Sequence, residues 1–151
     1  MAEKIIYFNK VGIKLNDNKA LKNINLDIIT KDFIYLIGKT GSGKSSILRT
    51  IYADFPLIQG EAEVLGYDLI KIKKKEIPNL RRKIGIIFQD FKLLPDRTVF
   101  KNLEFVLKAT EWKKKEKIEE RIDSVLEQVK MNDYKNRLPH ELSGGEKQRV
   151  S

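Results

Sequence analysis

Glycine, lysine and serine recur at a fixed spacing in the stretch from Gly38 to Ser45, written GKTGSGKS. The stretch fits the pattern G-x-x-x-x-G-K-[ST], in which glycines let successive backbone N–H groups turn toward one anion. The spacing therefore predicts a phosphate-binding loop for a nucleoside triphosphate, with ATP and GTP both open. Its residues are Gly38, Lys39, Thr40, Gly41, Ser42, Gly43, Lys44 and Ser45, with Ser46 directly after them.

Lys44 and Ser45 carry the charged chemistry of this loop. Lys44 should reach the β- and γ-phosphates as a mobile cation. The hydroxyl of Ser45 should ligate Mg²⁺. Ser46 is expected to face the interior of the following helix and to contribute less. The free N–H groups and the positive dipole end of that helix should also bind phosphate.

The loop is predicted to lie between a strand and a helix. The run FIYLI, Phe33 to Ile37, has no polar alternation, which predicts a strand buried on both faces. After the loop, apolar residues recur at helical spacing, and they are Ile47, Leu48, Ile51 and Phe55. This strand–loop–helix context favours a phosphate site over a Gly/Ser-rich surface loop.

Short apolar runs bounded by turn residues predict further strands, at Lys4 to Phe8, Ile24 to Ile29 and Ile84 to Phe88, and a strand with a turn at Gly60 to Leu69. A turn is predicted at Asn16 to Ala20. A short helix is predicted at Lys75 to Lys83, with Pro78 near its start. These segments predict a β-rich core around the loop.

Residues from about 90 to 138 are predicted to be mostly helical. Two sets of apolar residues each fall on one helical face, namely Phe100, Leu103 and Leu107, and then Ile118, Ile122, Val125, Leu126 and Val129. The segment EWKKKEK at 111–117 is predicted as a polar connection. The chain is thus predicted to carry a helical insert after its second core strand.

The chain has 151 residues, which suits one domain or part of one, and its 30 Lys+Arg against 21 Asp+Glu give a net charge of +9. That charge suits a phosphate-rich partner, but a lysine- and isoleucine-rich proteome accounts for it equally well. The lysine runs at 71–75 and 113–117 are expected to be solvated faces, with an anionic leaflet contact as the alternative. The absence of cysteine excludes disulfides and thiolate metal sites. No signal peptide or membrane span is predicted, so any membrane role is expected to go through a partner.

Two further stretches follow the loop in order, IIFQDFKLLPDRTVFKNL at 86–103 and LSGGEKQRV at 142–150. With the loop, they closely resemble the ATP-binding subunits of ABC transporters, over the whole chain. Within that family, one set of residues resembles the FtsE-type cell-division members, with lipoprotein-export and macrolide-efflux ATPases as close alternatives. The set is Asp96, Arg97, Thr98, Val99 and Asn102.

The resemblance implies an α/β fold, a P-loop NTPase (ABC ATPase) core with an antiparallel β subdomain and a helical insert, whose C-terminal part is missing. The expected divisions are 1–89 for the nucleotide-binding core with the β subdomain, 90–141 for the helical subdomain, and 142–151 for the signature motif and helix start. It also implies ATP and Mg²⁺ as cofactors.

The resemblance further assigns roles outside the loop. Gln89 matches the Q-loop glutamine, which implies that it acts with Lys44 in catalysis and reaches Mg²⁺ or the attacking water. Ser143, Gly144 and Gly145 match the signature motif, which implies contact with ATP held by a second copy in a head-to-tail homodimer.

The implied partner is an integral membrane protein resembling FtsX, docked on the helical insert around Phe91 to Leu107. The implied location is cytoplasmic, on the inner face of the plasma membrane, and the implied output is cell-wall remodelling at division. No direct contact with nucleic acid is expected.

Two departures from the family pattern matter. Its adenine-stacking aromatic residue has no equivalent, because Ile13, Lys14 or Leu15 takes that position and Tyr7 and Phe8 lie too early. The chain also stops before the family's Walker B Asp-Glu pair and switch histidine. We therefore expect a fragment of a longer gene product that binds nucleotide poorly and hydrolyses it barely.

Two other functions compete with this interpretation. A nucleic-acid ATPase of the SMC, Rad50 or translation-factor type shares these motifs. Only residues 46–141 separate loop and signature here, without sustained heptads, which argues against the SMC type. A non-catalytic nucleotide-binding module is the other alternative.

Overall fold

The computed structural model describes residues 3–16 and 19–151 of the chain. It divides into two compact units, one ending at Gly85 and one running from Ile86 to Ser151. Each unit has its own cluster of buried apolar side chains. Within the described residues, no helix combines the length and the apolar character that crossing a membrane requires.

The first unit is built on an antiparallel sheet of four strands in the order β2-β1-β3-β4. The strands are β1 (Lys4–Asn16), β2 (Lys19–Ile29), β3 (Leu57–Val64) and β4 (Tyr67–Asp68). Strands predicted at 4–8, 24–29 and 60–69 are confirmed. The turn predicted at Asn16 to Ala20 includes residues 17 and 18, which lie outside the described residues.

Two short helices pack with this sheet, α1 (Lys44–Ile51) and α2 (Ile77–Arg81). The helix α2 has Pro78 in its first turn, as the sequence predicts. On α1, Ile47 and Ile51 pack against the buried cluster. Leu48, predicted on the same face, is 54% exposed because this two-turn helix turns Ile47, Thr50 and Ile51 inward instead.

The strands predicted at 33–37 and 84–88 are wrong for this structure. Neither segment joins the sheet or is assigned to any strand. Phe33 is 81% exposed, Ile37 87% and Ile87 74%. A strand exists only where a neighbouring strand completes its hydrogen-bond ladder. All four strands of the described residues pair with one another in the antiparallel sheet, so neither run has a partner strand among them. Apolar composition alone therefore leaves both runs irregular, the first exposed throughout and the second partly buried, with Ile84 packed against the core.

The second unit is helical, with α3 (Val99–Ala109), α4 (Lys115–Gln128) and α5 (Gly144–Val150), and with single 3-10 turns at Asn132–Tyr134 and Pro139–Glu141. Its core is formed by buried apolar residues from all three helices and their connections, namely Val99, Ile118, Ile122, Leu126, Met131, Leu142 and Val150. The predicted apolar faces of α3 and α4 are confirmed, since Phe100, Leu103 and Leu107 pack against the same cluster.

Candidate functional site

The glycines of the phosphate loop hold backbone conformations that side chains disfavour. Gly41 has φ of 77° and Gly43 has φ of 98°, both in the left-handed region. At Gly43 a second constraint applies, because an added Cβ would lie 2.5 Å from Cδ1 of Leu21 in β2. The sheet therefore packs directly against the end of the loop, and only glycine fits there.

Lys44 is bound inside its own loop. Its ammonium donates to the carbonyl oxygen of Gly38 at 2.7 Å and to that of Lys39 at 2.9 Å. The loop is closed on itself by a hydrogen bond from the Ser42 N–H to the same Lys39 carbonyl, at 3.1 Å. The cation is thus held at the centre of the loop by neutral acceptors, which an anionic phosphate oxygen can replace favourably.

The amino end of α1 is open for an anion. Gly43 precedes the helix without any side-chain cap, and no acidic residue lies in the first turn. Ser45 is exposed, whereas Ser46 is half-buried and its carbonyl accepts from the Thr50 hydroxyl at 2.9 Å. N–H groups at an uncapped helix start attract a phosphate group. Ser45 is exposed in this same first turn of α1.

The far end of α1 is tied to α2 by charged side chains. Asp54 contacts Arg49 at 2.6 Å and Arg81 at 3.6 Å. Arg81 also donates to the Tyr52 carbonyl at 3.0 Å. These contacts fix the helix that carries Lys44 and Ser45.

The three positions that the sequence aligns with the family's adenine-stacking residue carry no aromatic ring, and they are Ile13, Lys14 and Leu15. Ile13 is fully buried in the core of the first unit, and Leu15 packs against that core. Phe8 is also buried, and the ring of Tyr7 lies 4.4 Å from the ammonium of Lys4. Of the three sequence candidates, only Lys14 is exposed.

Gln89 lies in an exposed turn of the second unit. The N–H of Phe91 donates to the Phe88 carbonyl at 3.1 Å across this turn, and Asp90 pairs with Lys92 at 2.6 Å. Phe91 and Lys92 have φ of 58° and 51°, a conformation that costs non-glycine residues about 1–2 kcal/mol each. The strained residues lie two and three positions after Gln89.

Ser143 caps helix α5 through a reciprocal pair of hydrogen bonds. Its hydroxyl accepts from the Glu146 N–H at 3.3 Å, and the Glu146 carboxylate accepts from the Ser143 N–H at 2.7 Å. Gly144 and Gly145 form the exposed first turn, and a Cβ added to either would meet no atom within 4 Å. The signature motif therefore presents a hydroxyl and a smooth helix start to solvent.

The sequence did not predict that Glu146 and Tyr134 take part in the hydrogen bonds around Ser143. The Ser143 N–H and hydroxyl, and then the Tyr134 hydroxyl, hold the pKa of Glu146 below its usual range. The same hydrogen bond raises the pKa of Tyr134. The spacing S-x-x-E at Ser143 to Glu146 is a capping-box pattern and could have revealed the first contact. Nothing in the sequence points to Tyr134, because it lies outside that helix.

A groove of about 290 Å³ runs along the start of α3. Its lining combines charged and apolar side chains, namely Asp96, Arg97, Thr98, Lys101, Glu104, Phe105 and Lys108. The guanidinium of Arg97 lies 4.9 Å from the centre of the Phe105 ring. The groove is thus a shallow site with an apolar floor residue and a charged rim.

Asn102 fixes the backbone on one side of this groove. Its side-chain oxygen accepts from the Leu94 N–H at 2.7 Å. Its amide nitrogen contacts the carbonyl oxygens of Leu94, Arg97 and Thr98 at 3.2, 2.9 and 3.0 Å. Thr98 caps α3 by accepting from the Lys101 N–H at 3.3 Å. Of the residues that suggested a subfamily in the sequence, Asn102 and Thr98 therefore shape the segment from 94 to 98 and the start of α3, whereas Val99 is buried in the core of the unit.

Glu104 joins two lysines on the groove rim. Its carboxylate contacts Lys108 at 2.8 Å and Lys101 at 2.9 Å. These ammonium groups, Lys108 first, lower the pKa of Glu104 to about 2. The carboxylate therefore stays ionised well below the usual range of glutamate.

Within each unit, the predicted site residues fall into coherent groups. The phosphate loop from Gly38 to Ser46 belongs to the first unit, on the sheet and α1. Gln89 and the signature residues belong to the second unit, Gln89 in an exposed turn and the signature residues at the start of α5.

The ABC transporter family profile matches residues 21–151. The chain belongs to the ABC transporter family.

Sequence relatives of this family member include two kinds of ATP-binding protein. The chain is 43% identical to the cell division ATP-binding protein FtsE of Bacillus subtilis and 37% identical to that of Streptococcus pneumoniae, over 136 residues. Each alignment covers 90% of this chain and 59% of the relative. The chain is also 42% identical to the methionine import ATP-binding protein MetN of Helicobacter pylori, over 90% of this chain and 41% of that protein.

Solved structures agree on the fold. The dimeric ATP-binding cassette MJ0796, in a post-hydrolysis state bound to ADP and Pi, matches with a TM-score of 0.83 at 30% identity. That match covers 97% of this chain and 66% of the cassette. The cbiO1 protein of Clostridium perfringens, part of the ABC transporter complex cbiONQ, matches with a TM-score of 0.82 at 26% identity, over 98% of this chain and 59% of that one. The expected ABC ATPase fold class is confirmed.

Proposed function

We propose that this chain binds MgATP as part of an ATP-binding subunit that drives a membrane complex. The observation that carries this proposal is the phosphate loop, in which Lys44 is held by two carbonyl oxygens beside an uncapped helix start. A cation and free N–H groups converging on one open loop are suited to a triphosphate. The loop residues from Gly38 to Ser46 would surround it.

Magnesium fits the donor groups that the chain presents. Ser45 and Gln89 both carry neutral side-chain oxygens, which suit this hard cation, and both are exposed. Bound Mg²⁺ would neutralise charge on the β- and γ-phosphates. Ser45 would hold it from the phosphate loop. The family resemblance assigns Gln89, in the second unit, a role toward Mg²⁺ or the attacking water. Lys44 would stabilise the charge on the transferred phosphate.

Two copies of the chain would form the working unit. Ser143, Gly144 and Gly145 present a hydroxyl and an unobstructed helix start, and the phosphate loop belongs to the other unit. A head-to-tail homodimer would bring them to the ATP of the partner copy. The related cassette MJ0796 is dimeric, which supports this arrangement.

The groove on α3 would receive the membrane partner. Its exposed Phe105 ring and its rim of paired charges suit a short amphipathic segment. We favour an FtsX-like partner at the inner face of the plasma membrane, and a role in cell division and cell-wall remodelling. The FtsE relatives support this choice, because FtsE proteins of two organisms match over 90% of this chain.

Import of a small solute is the second candidate, since MetN is nearly as similar in sequence over the same 90% of the chain. The partner separates the two candidates. Purified chain would be tested for binding to detergent-solubilised FtsX and to the MetN-associated permease from one organism. Binding to the permease alone would favour import and exclude the cell-division role.

Nucleotide binding is tested by a matched pair of lysine variants. Lys44→Ala should weaken ATP binding at least about tenfold, because it removes a charge-assisted contact of about 1.5–3 kcal/mol. Lys39→Ala removes the same charge from the same loop, but the Lys39 side chain is exposed and has no side-chain partner in the described structure. Isothermal titration with MgATP should therefore show near-normal affinity for Lys39→Ala. Equal losses of affinity in both variants would mean that the loop attracts ATP only through its overall positive charge, which would contradict the proposal.

Hydrolysis is measured separately from nucleotide binding. Phosphate release would be measured for the chain and for Lys44→Ala under the same conditions. Clear turnover that depends on Lys44 would show that residues 1–151 suffice for catalysis.

A further inference from the structure

A positively charged segment follows helix α3. Every residue from Glu111 to Lys117 is exposed. From residue 112 onward the segment reads WKKKEK, so four lysines and one glutamate follow a single tryptophan. We name residues Trp112 to Lys117 the Trp–Lys segment.

The fold makes little use of these lysine charges. Within the described structure, the side chains of Lys113, Lys114 and Lys117 form no ion pair. Lys115 alone has an acidic partner, Glu119, at a loose 3.8 Å. Their place is also unfavourable for the helix, because Lys114 is the N-cap of α4, Lys113 precedes it, and Lys115 and Lys117 lie in the first turn. Positive charge at a helix amino end opposes the helix dipole, so these lysines concentrate positive potential at a cost in stability.

Trp112 adds an apolar contact to the same segment. It is 39% exposed, and its backbone N–H donates to the Leu107 carbonyl at 3.1 Å, which anchors this backbone to the end of α3. Val106, in the last turn of α3, is 56% exposed. Tryptophan favours the boundary between water and lipid, where its ring is buried and its N–H stays hydrated. Lysine next to tryptophan is therefore suited to a phospholipid surface.

We propose that the Trp–Lys segment binds directly to an anionic phospholipid bilayer, with the lysines at the headgroup phosphates and Trp112 in the interface. This inference goes beyond the proposed function, which requires only a protein partner in the membrane. It does not depend on nucleotide binding. Charge complementarity with an anionic leaflet and the exposed ring support lipid over a polyanion that offers no apolar layer.

The chain contains a matched comparison for this segment. Lys73, Lys74 and Lys75 are also exposed and consecutive. They lie in the first unit, and no tryptophan accompanies them because Trp112 is the only one in the chain. Replacing three lysines by glutamate in either run changes the net charge equally. Only the change in the Trp–Lys segment should strongly weaken lipid binding.

Intrinsic fluorescence makes the test direct, since all tryptophan emission comes from residue 112. The full chain would be titrated with vesicles of pure phosphatidylcholine and with vesicles of phosphatidylcholine and phosphatidylglycerol. We expect a blue shift and quenching by brominated lipid with the anionic vesicles only. Each lysine near an anionic surface contributes about fivefold in affinity, so K113E/K114E/K117E should bind roughly 100-fold more weakly. K73E/K74E/K75E should lose less than tenfold.

Folding of the variant is checked by circular dichroism, and it should be preserved because glutamate at a helix amino end is favourable. Four outcomes would overturn the proposal. They are binding to neutral vesicles of equal strength, an equal loss in the K73E/K74E/K75E control, vesicle binding without a change in Trp112 emission, and the same emission shift on adding duplex DNA instead of vesicles.

Discussion

Asn102 shows how much one buried side chain can organise. Its amide contacts four backbone groups between residues 94 and 98, and it is only 6% exposed. Asn102→Ala should lower the free energy of unfolding by about 2–3 kcal/mol, since a buried N–H and several carbonyl groups would lose their partner. Urea unfolding of the chain measures this effect. The control is Asn136→Ala, an exposed residue of the same unit, which should change stability by less than about 0.5 kcal/mol. Similar losses in both variants would show that the Asn102 contacts contribute little.

Glu104 gives the groove rim a defined pH response. Its pKa lies at about 2, held down by Lys108 and Lys101, whereas an unpaired glutamate titrates near 4.5. A lowered folded-state pKa stabilises the fold fully above about pH 4.5, and the contribution is lost as pH falls toward 2. Because both lysines face solvent, the effect should be about 0.5–1 kcal/mol. Thermal unfolding of the native chain and of Glu104→Gln would be compared from pH 6 to pH 2. The native advantage should shrink over that range, and parallel curves would contradict the assignment.

At the scale of single elements, helix α5 depends on its cap. The Ser143–Glu146 pair satisfies N–H groups that a helix start leaves without partners. Ser143→Ala should destabilise α5 by about 1 kcal/mol, which amide hydrogen exchange along residues 144–150 would reveal. Ser124→Ala is the control, because Ser124 is exposed inside α4 and caps nothing. Unchanged exchange in α5 would mean that packing of Val150 and Leu142, rather than the cap, holds the helix.

The helices and strands also show which sequence patterns suffice to predict secondary structure. The hairpin from β3 to β4 was predictable because Leu65 and Gly66 turn the chain locally, with φ of 50° and 81° that suit a two-residue hairpin turn. Ile118, Ile122 and Leu126 were equally predictable, since helical spacing determines which face meets the core. The run from Phe33 to Ile37 was not, because an apolar strand needs a partner strand that its own composition cannot specify.

In the candidate site, features formed by residues close in sequence were predictable, whereas contacts between distant residues were not. The conformation of the phosphate loop is set by residues close in sequence, so its pattern predicts its structure. The approach of Leu21 to Gly43 and the contact of Tyr134 with Glu146 join distant parts of the chain. Neither contact leaves a spacing that a single sequence reveals.

At the scale of the whole molecule, the proposed homodimer requires each copy to supply two dissimilar halves of a nucleotide site. The phosphate loop belongs to the first unit and the signature helix to the second. In the proposed head-to-tail homodimer, each ATP would contact Lys44 of one copy and Ser143 of the other. Lys44→Ala should therefore impair binding in the monomer. Ser143→Arg should leave monomer binding nearly unchanged and block only ATP-dependent association, because the larger side chain would fill the space for the partner's phosphate.

A mixture of the two variants separates contact in trans from contact within one copy. In a dimer of one Lys44→Ala chain with one Ser143→Arg chain, both defects fall in the same composite site. The other site keeps a native Lys44 and a native Ser143. We therefore expect ATP-dependent association, measured by fluorescence energy transfer between labelled chains, to be absent for each variant alone and restored in part when the two are mixed. Because the restored dimer contains one intact site, its association should be weaker than that of the native chain. If Ser143 instead served the ATP of its own copy, each chain in the mixture would still carry a damaged site, and no association would return.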